Sequence, residues 1–317
     1  MGYGYGYGYG YGYGYGYGYG YGGGGAGGGG PFRNMPTELG LKPWTLDYTP
    51  DLTGVPDLPQ HEILTPGLTY PNNLWDPALV AGLAATEFAS QIANWQNADS
   101  ALTSSELDWN NASTGVSQPF IKAELDYLLA LMADDRDRYM PEIAAQADNA
   151  PLYWYQLLNL GGGEKPATNA LLNFAQRAGE MAALYFKRKY ARVRPSTLCP
   201  GLLLPFGPPR HPAFPSGHSL TGHLTTYLLL EIGEINTALN LELTWLADRV
   251  AKNRERAGLH YPSDSAAGLR LAKQIEGDLV AGTINCPTFT KILAAAQAEA
   301  AATSATPGTS AASQWWS

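Results

Sequence analysis

The sequence predicts an all-α fold in the form of a multi-helix bundle, and two observations lead to this prediction. No window alternates apolar and polar residues with the period of two that a half-buried strand requires. From Trp75 onwards, apolar residues instead recur every three or four positions, and prolines and glycines separate the segments. The chain has 317 residues, 45% of them hydrophobic, which is enough to bury a substantial core. We therefore expect one helical domain over residues 75–305.

The segments outside this domain differ sharply in composition. Residues 2–22 alternate glycine and tyrosine, and residues 1–30 carry no charge, so this segment cannot bury enough apolar surface to offset its chain entropy. We expect a disordered tail, with weak self-association through the regularly spaced tyrosines as the alternative. Residues 31–74 are rich in proline and predict an extended arm. Residues 306–317 predict a flexible tail.

Within the helical domain, apolar stripes and prolines at helix starts define the predicted elements. Asp76-Pro77 opens the first helix, and the Gly161-Gly162-Gly163 break ends the fourth. The predicted helices cover residues 76–97, 119–138, 141–148, 152–160, 168–192, 216–235, 237–257, 262–281 and 287–303.

The overall charge narrows the functional classes. There are 20 basic and 28 acidic residues, giving a formal charge of −8, so wholesale binding to nucleic acid or to an anionic membrane is not favoured. The sequence contains no run of about 18 apolar residues, so no transmembrane helix is predicted. No basic-then-apolar leader is recognisable, and we expect a soluble protein. Cys199 and Cys286 do not have metal-ligand spacing; we expect two thiols, while a single disulfide stays open.

The central motif runs from Phe214 to His218, within a loop rich in proline and glycine that leads into an apolar helix. Pro215 favours an extended backbone at Phe214, and Ser216 is a favourable helix N-cap. Gly217 has no side chain to block the first backbone amides, which attract anions. His218 lies in the first turn, where it can exchange protons with a bound group.

A basic stretch precedes this motif, from Lys187 to Pro195. Lys187 and Arg194 are seven residues apart, so on one continuous helix they would share a face. An ammonium and a planar guanidinium together suit a tetrahedral oxyanion. The alternative is a solvated basic edge that compensates the helix dipole.

A third motif follows, from Asn253 to Asp264. Pro262 predicts the first position of a helix, which puts Asp264 in the first turn and His260 just ahead of it. Asp264 can then accept a hydrogen bond from one ring nitrogen of His260 and leave the lone pair of the other nitrogen available. The alternative is a helix-start charge beside an ordinary loop histidine.

Together, these motifs resemble the type 2 phosphatidic acid phosphatase and vanadium haloperoxidase superfamily, in order and in internal spacing, across about 78 residues. One departure is Asn253, where many phosphatases of the family have serine; we expect this position to be peripheral to the chemistry. The signatures are Lys187-x6-Arg194-Pro195, Pro215-Ser216-Gly217-His218 and Arg254-x5-His260-x3-Asp264.

The resemblance implies a shared oxyanion pocket in a helical catalytic domain, with a small phosphorylated substrate and neither a metal ion nor another cofactor. His260 would attack phosphorus and form a phosphohistidine, Asp264 would stabilise the developing imidazolium, and His218 would protonate the leaving alcohol and then activate water. The oxygens would be bound by Lys187, Arg194, Arg254, Ser216 and the amide of Gly217.

In a haloperoxidase of the same superfamily, the pocket holds vanadate with His260 as its axial ligand. The shortness of the chain and the pattern around Tyr190 and Arg192, which resembles soluble bacterial acid phosphatases, favour a phosphatase. His211 favours the haloperoxidase, because bromide-oxidising members have a histidine near the halide site, seven residues before the position of His218; a surface histidine is the simpler interpretation.

A third alternative belongs to another class of protein. The Gly/Tyr tract could drive assembly of a chain whose helical domain is inactive, although the intact set of pocket residues argues against loss of activity. His223 is predicted to be structural, and His61 in the proline-rich arm has no predicted role.

Overall fold

The computed structural model describes residues 75–95, 101–102, 117–160 and 165–305. Every regular element within these residues is helical, which confirms the all-α class. A short 3-10 turn at Pro200–Leu202 separates the sixth and seventh helices. The α-helices are α1 Pro77–Ile92, α2 Ser117–Asp134, α3 Arg136–Asn149, α4 Leu152–Leu158, α5 Pro166–Tyr190, α6 Pro195–Leu198, α7 Gly217–Leu230, α8 Gly233–Arg256, α9 Pro262–Val280 and α10 Pro287–Ala305.

Three predicted segments, the Gly/Tyr tail at 1–30, the proline-rich arm at 31–74 and the tail at 306–317, lie outside the described residues. None of the helices in the described part of the chain combines the length and apolarity needed to cross a membrane. Both cysteines are free thiols, so the disulfide that the sequence left open does not form.

The structure corrects the predicted junction between the seventh and eighth helices. The helix expected to reach residue 235 ends at Leu230, and α8 begins at Gly233 instead of at residue 237. Ile232 adopts an extended conformation with φ −89° and ψ 109°, and its side chain is fully buried. The turn places this side chain in the core, which helical periodicity alone does not reveal.

The second correction concerns Pro141, which was predicted to open a helix and instead lies inside α3. A proline within a helix removes one backbone hydrogen bond. The start of α3 is held in place by Arg136, whose Nε donates to the carbonyl of Arg256 at 2.6 Å and whose Nη1 donates to that of Leu202 at 2.8 Å. Helix α2 correspondingly ends at Asp134, before the predicted boundary.

Helix α7 is the central element, and it packs against α5, α8 and α9. Its leucines at 220, 224 and 228 are fully buried, so the helix is apolar on the faces that meet its neighbours. The end of α5 and the start of α9 both lie beside the N-terminus of α7, as the contacts below show. All three sequence motifs therefore meet at one end of the bundle.

The closest approach of α7 and α9 depends on Gly268. A Cβ atom at this position would lie 2.8 Å from the carbonyl oxygen of Ser216 and 2.9 Å from the backbone nitrogen of Leu220. The hydroxyl of Ser219 donates to the carbonyl of Ser265 at 2.6 Å. The first turn of α9 is thus fixed against the first turn of α7.

Candidate active site

The first turn of α7 presents backbone donors at the centre of the site. Ser216 is the N-cap, as predicted, and its Oγ accepts a hydrogen bond from the amide of Ser219 at 3.4 Å. The amides of Gly217 and His218 have no partner within α7, because a helix cannot satisfy its first N–H groups. Such a turn, with the positive end of the helix dipole, favours an anion.

Lys187, in the last turn of α5, is buried and supports the loop ahead of α7. Its Nζ donates to the carbonyls of Pro212 at 3.0 Å, Ala213 at 2.9 Å and Pro215 at 2.5 Å. Burial, together with the positive charge of Arg194, holds the pKa of Lys187 well below its usual range. With 1% of its surface exposed, Lys187 is not part of a solvated basic edge.

Arg194 reaches the site from an extended segment and not from the helix that carries Lys187, so the predicted shared helix face is wrong. Helix α5 ends at Tyr190, and Ala191 takes a left-handed conformation with φ 51° that turns the chain. Arg194 then precedes α6 in extended conformation, and its Nη1 donates to the carbonyl of Leu259 at 2.7 Å. Both cations still reach the same region.

His260 and Asp264 have the predicted relationship. Nδ1 of His260 lies 3.1 Å from Oδ2 of Asp264, and Nε2 lies 3.1 Å from Nη1 of Arg194. A guanidinium only donates, so Nε2 accepts this hydrogen bond and Nδ1 carries the proton that is donated to Asp264. Burial, followed by the charges of Arg194 and Lys187, holds the pKa of His260 well below its usual range. The imidazole is therefore neutral, with its lone pair on Nε2.

His218 and Arg254 are both anchored by helix α3. Nε2 of His218 lies 3.3 Å from the carbonyl of Gln146, and Nη2 of Arg254 donates to the carbonyl of Ile143 at 2.8 Å. Burial, followed by the charge of Arg254, lowers the pKa of His218 from 6.5 to about 3. Burial also lowers the pKa of Arg254 to about 10.

The Nε of Arg254 is buried and has no hydrogen-bond partner among the described residues. Leaving a buried donor unsatisfied costs about 1–3 kcal/mol. An acceptor bound beside Arg254 would remove this cost, and the oxygen of an oxyanion is such an acceptor.

His211 lies in the site and not on an open surface. Its Nδ1 is 3.0 Å from Nη2 of Arg194, and the residue is half-buried. Burial, with the charges of Lys187 and Arg194, lowers its pKa to about 3. The interpretation of His211 as a simple surface histidine is therefore wrong. His223 is different: it is buried away from these groups, with Nε2 3.1 Å from Oδ1 of Asp248, which agrees with a structural role.

No model of a known protein family matches this chain. A search of curated proteins also finds no significant match.

The charges in the site are unbalanced. Lys187 and Arg254, each 1% exposed, form no ion pair within the described ranges, and the acceptors of their hydrogen bonds are backbone carbonyls. Arg192 is also buried, but it is paired with Asp264 at 2.7 Å and with Glu124 at 2.9 Å. Two buried cations beside a helix N-terminus provide the field that an oxyanion requires.

Several residues that support the site were missed from the sequence. Asn253 was expected to be peripheral, yet it is fully buried and its Nδ2 donates to Oε1 of Gln146 at 2.8 Å. Gln146 in turn provides the carbonyl that holds His218. Glu124 binds Arg192 from α2, outside every motif. The position of Asn253 directly before Arg254 is the only sequence signal that pointed to any of them.

Proposed function

We propose that this chain is a phosphatase that hydrolyses phosphate monoesters through a phosphohistidine intermediate and needs no metal ion. One observation carries the proposal: a neutral His260, with Nδ1 bound to Asp264 and its lone pair on Nε2, lies beside the buried cation Arg194. This arrangement combines a nucleophile with groups that stabilise negative charge.

The resemblance to the type 2 phosphatidic acid phosphatase and vanadium haloperoxidase superfamily supports the same proposal. Its three signatures come from separate parts of the chain, and contacts join them in space. The first and third are joined by Arg194 and His260 at 3.1 Å, and the second and third by Ser216 and Asp264 at 2.9 Å. If the likeness in the sequence were due to chance, there would be no reason for the three signatures to contact each other in the fold.

In the first step, Nε2 of His260 forms a bond to phosphorus while the bond between phosphorus and the ester oxygen breaks. Arg194 exchanges its hydrogen bond to Nε2 for one to a phosphoryl oxygen. The proton on Nδ1 stays on the ring and faces Asp264, whose carboxylate stabilises the imidazolium. Lys187, Arg254 and the first amides of α7 stabilise the remaining oxygens.

His218 supplies the proton for the leaving alkoxide. Its Nε2 faces the carbonyl of Gln146, and its Nδ1 has no hydrogen-bond partner among the described residues. With a pKa of about 3, His218 is neutral before substrate binds. A bound phosphate dianion raises this pKa because it places negative charge beside the ring, so substrate and proton bind together.

The second step restores the enzyme. His218, now neutral, takes a proton from water, and the water oxygen bonds to phosphorus while the bond between phosphorus and Nε2 breaks. Inorganic phosphate leaves, the pKa of His218 falls again so that its ring releases this proton to solvent, and His260 is again neutral with its proton on Nδ1. His218 thus acts as acid and then as base.

A second candidate is a vanadium-dependent haloperoxidase, and the contact between His211 and Arg194 favours it. The residues suit vanadate, since the unsatisfied Nε of Arg254 would donate to one of its oxygens and Nε2 of His260 has a lone pair that would hold the vanadium. When bound, vanadate would supply the activation of hydrogen peroxide for halide oxidation. Lys187 and Arg194 would hold its oxygens, and His218 would move protons.

The test is hydrolysis of a chromogenic phosphate monoester, with and without orthovanadate, beside bromide oxidation by hydrogen peroxide with vanadate-loaded protein. We expect hydrolysis that vanadate inhibits, and no bromide oxidation. His260→Ala should abolish hydrolysis, whereas His223→Ala, which removes another buried histidine, should retain it. Bromide oxidation without hydrolysis would favour the second candidate, and retained hydrolysis in His260→Ala would refute the assigned nucleophile.

A further inference from the structure

Arg192 lies behind the pair of His260 and Asp264, fully enclosed by protein. Its Nη1 donates to Oδ1 of Asp264 and to Oγ of Ser263, each at 2.7 Å, and 2% of its surface is exposed. The guanidinium carbon lies 3.8 Å from the centre of the Tyr261 ring. Arg192 is thus held on three sides against the first turn of α9.

The far side of Arg192 is closed by Glu124 of α2. Oε2 of Glu124 accepts a hydrogen bond from Nη2 of Arg192 at 2.9 Å, and Oε1 accepts one from the backbone amide of Ser263 at 2.7 Å. Glu124 is 7% exposed, and Ser263 Oγ also donates to it at 2.9 Å. A buried guanidinium therefore bridges two buried carboxylates.

The two oxygens of Asp264 have separate partners. Oδ1 accepts from Arg192, while Oδ2 accepts from the backbone amide of Tyr261 and faces Nδ1 of His260, both at 3.1 Å. With Oδ1 fixed by the guanidinium, the carboxylate cannot rotate away from the ring. The positive charge on Arg192 also offsets part of the negative charge that His260 experiences.

We infer that Arg192, supported by Glu124, is a positioning residue that fixes Asp264 against His260 and keeps the imidazole in its neutral, nucleophilic form. The inference deepens the proposed function and rests on it for the role of His260. Arg192 touches no reacting atom and acts through Asp264. The titratable and charged groups that face His260 are Asp264 of α9, Arg194, Lys187 of α5, His211 and His218 of α7.

The test is a ring-proton NMR titration of His260 in the full chain, with its signal assigned by loss in His260→Asn, beside the pH profile of kcat. In Arg192→Gln, Asp264 stabilises the imidazolium without the opposing charge, so we expect the pKa of His260 to rise by about one pH unit. The acid limb of the pH profile of kcat should shift to higher pH by the same amount, because His260 attacks only when neutral. If Arg192 provided only a structural contact, its replacement would lower kcat without shifting the acid limb of the pH profile.

Two further variants and a matched control sharpen the result. Glu124→Gln leaves the charge of Arg192 less compensated, so the pKa of His260 should stay in place or fall. Arg192→Lys should raise it by less than Arg192→Gln does, because lysine keeps a positive charge near Asp264 although its ammonium cannot donate to both carboxylates in parallel; this variant replaces Arg192→Gln where the latter fails to fold. Arg256→Gln, which removes a largely buried arginine bound to Asp135 at 2.6 Å, is the matched control and should change nothing in the titration.

An unchanged pKa of His260 in the Arg192 variants would overturn the inference, as would an equal rise in Glu124→Gln. The hydrolysis assay tests the proposed function, and the titration tests the role of Arg192 independently of it. If the wild-type chain hydrolyses no phosphate monoester, the proposed function fails, while the titration still decides whether Arg192 sets the protonation of His260.

Discussion

The backbone amide of Ser216 donates to the backbone carbonyl of Asp264 over 2.9 Å. This hydrogen bond joins the N-cap of α7, whose first amides are the proposed anion donors, to the first turn of α9, which orients His260. The proposed oxyanion donors and the proposed nucleophile are therefore one rigid unit. Their alignment depends on how closely α9 approaches α7, which is the role of Gly268.

Gly268→Ala should misalign this unit. The added Cβ would meet backbone atoms of Ser216 and Leu220 at 2.8 and 2.9 Å, neither of which is the end of a flexible side chain. We expect a loss of about 1–3 kcal/mol in the free energy of unfolding, measured by urea denaturation, and a clear fall in kcat. Both effects follow from one displacement of α9.

The matched control is Gly277→Ala in the same helix, where an added Cβ meets no atom within 4 Å. Since alanine favours the helix over glycine, this variant should gain about 0.5–1 kcal/mol and keep its activity. Equal stability changes in the two variants would mean that α9 adjusts freely and that the contact does not fix the site.

Asp264→Asn should remove most of the activity by disturbing His260. The amide nitrogen of asparagine cannot accept a hydrogen bond from the Nδ1–H group, so the tautomer with the lone pair on Nε2 is no longer selected. The loss in kcat should reach about 10²–10⁴-fold, as for the orienting aspartate of serine proteases. The measurement is steady-state hydrolysis of a chromogenic monoester.

The same variant leaves Arg192 with Glu124 as its remaining carboxylate partner among the described residues, so the fold should lose about 3 kcal/mol. Activity must therefore be compared at a temperature where circular dichroism shows both proteins to be folded. An unchanged kcat under these conditions would reduce Asp264 to a helix-start charge.

The sequence predicted the local parts of the site well because short-range rules govern them. Ser216 as an N-cap and the contact of His260 with Asp264 across Pro262 both follow from positions within one turn of a helix start. The all-α class follows equally from periodicity.

Longer-range features were not predictable in the same way. Lys187 and Arg194 seemed to share a helix face, but Ala191 adopts a left-handed conformation that is usual for glycine and unusual for alanine, so no residue signalled the helix end. Glu124 is 68 residues from the arginine that it binds, and it belongs to an ordinary amphipathic helix. Its role depends on how α2 packs, which the pattern of a single helix does not contain.

Stability should fall in mild acid because of the buried histidines. In the folded chain, the pKa values of His211 and His218 lie near 3, below their ordinary value of 6.5. As the pH falls below 6.5, the unfolded chain binds protons that the folded chain does not. Each histidine should therefore remove about 1 kcal/mol per pH unit from the free energy of unfolding, and urea denaturation between pH 7.5 and 5 measures this slope.

His218→Gln provides the control for this slope. Glutamine retains a donor for the carbonyl of Gln146 but does not titrate, so stability should depend less steeply on pH below 6.5. Carboxylates contribute equally to both proteins and cancel in the difference. Parallel slopes would show that His218 binds its proton equally in the folded and unfolded chains.

Arg254 and Arg256 are two residues apart at the end of α8, yet only the charge of Arg256 is compensated by a carboxylate among the described residues. Arg256 donates to Asp135 at 2.6 Å and to Asn253 at 2.9 Å, so its charge is compensated. Arg254 has a buried Nε without a partner among the described residues, and it forms no ion pair there. The fold therefore carries the cost of a charge whose partner would be a bound anion.

Arg254→Met should leave the anion-free protein as stable as the wild type or more so, because it replaces an incompletely satisfied buried charge by an apolar side chain of similar length. Arg256→Met should instead cost about 1–2 kcal/mol, since it removes the partner of the partly exposed Asp135. Orthovanadate should raise the melting temperature of the wild type and of Arg256→Met, but not that of Arg254→Met. Thermal melts with and without orthovanadate measure both effects. A large destabilisation of Arg254→Met, with its response to vanadate intact, would mean that Arg254 holds α3 to α8 and does not bind the anion.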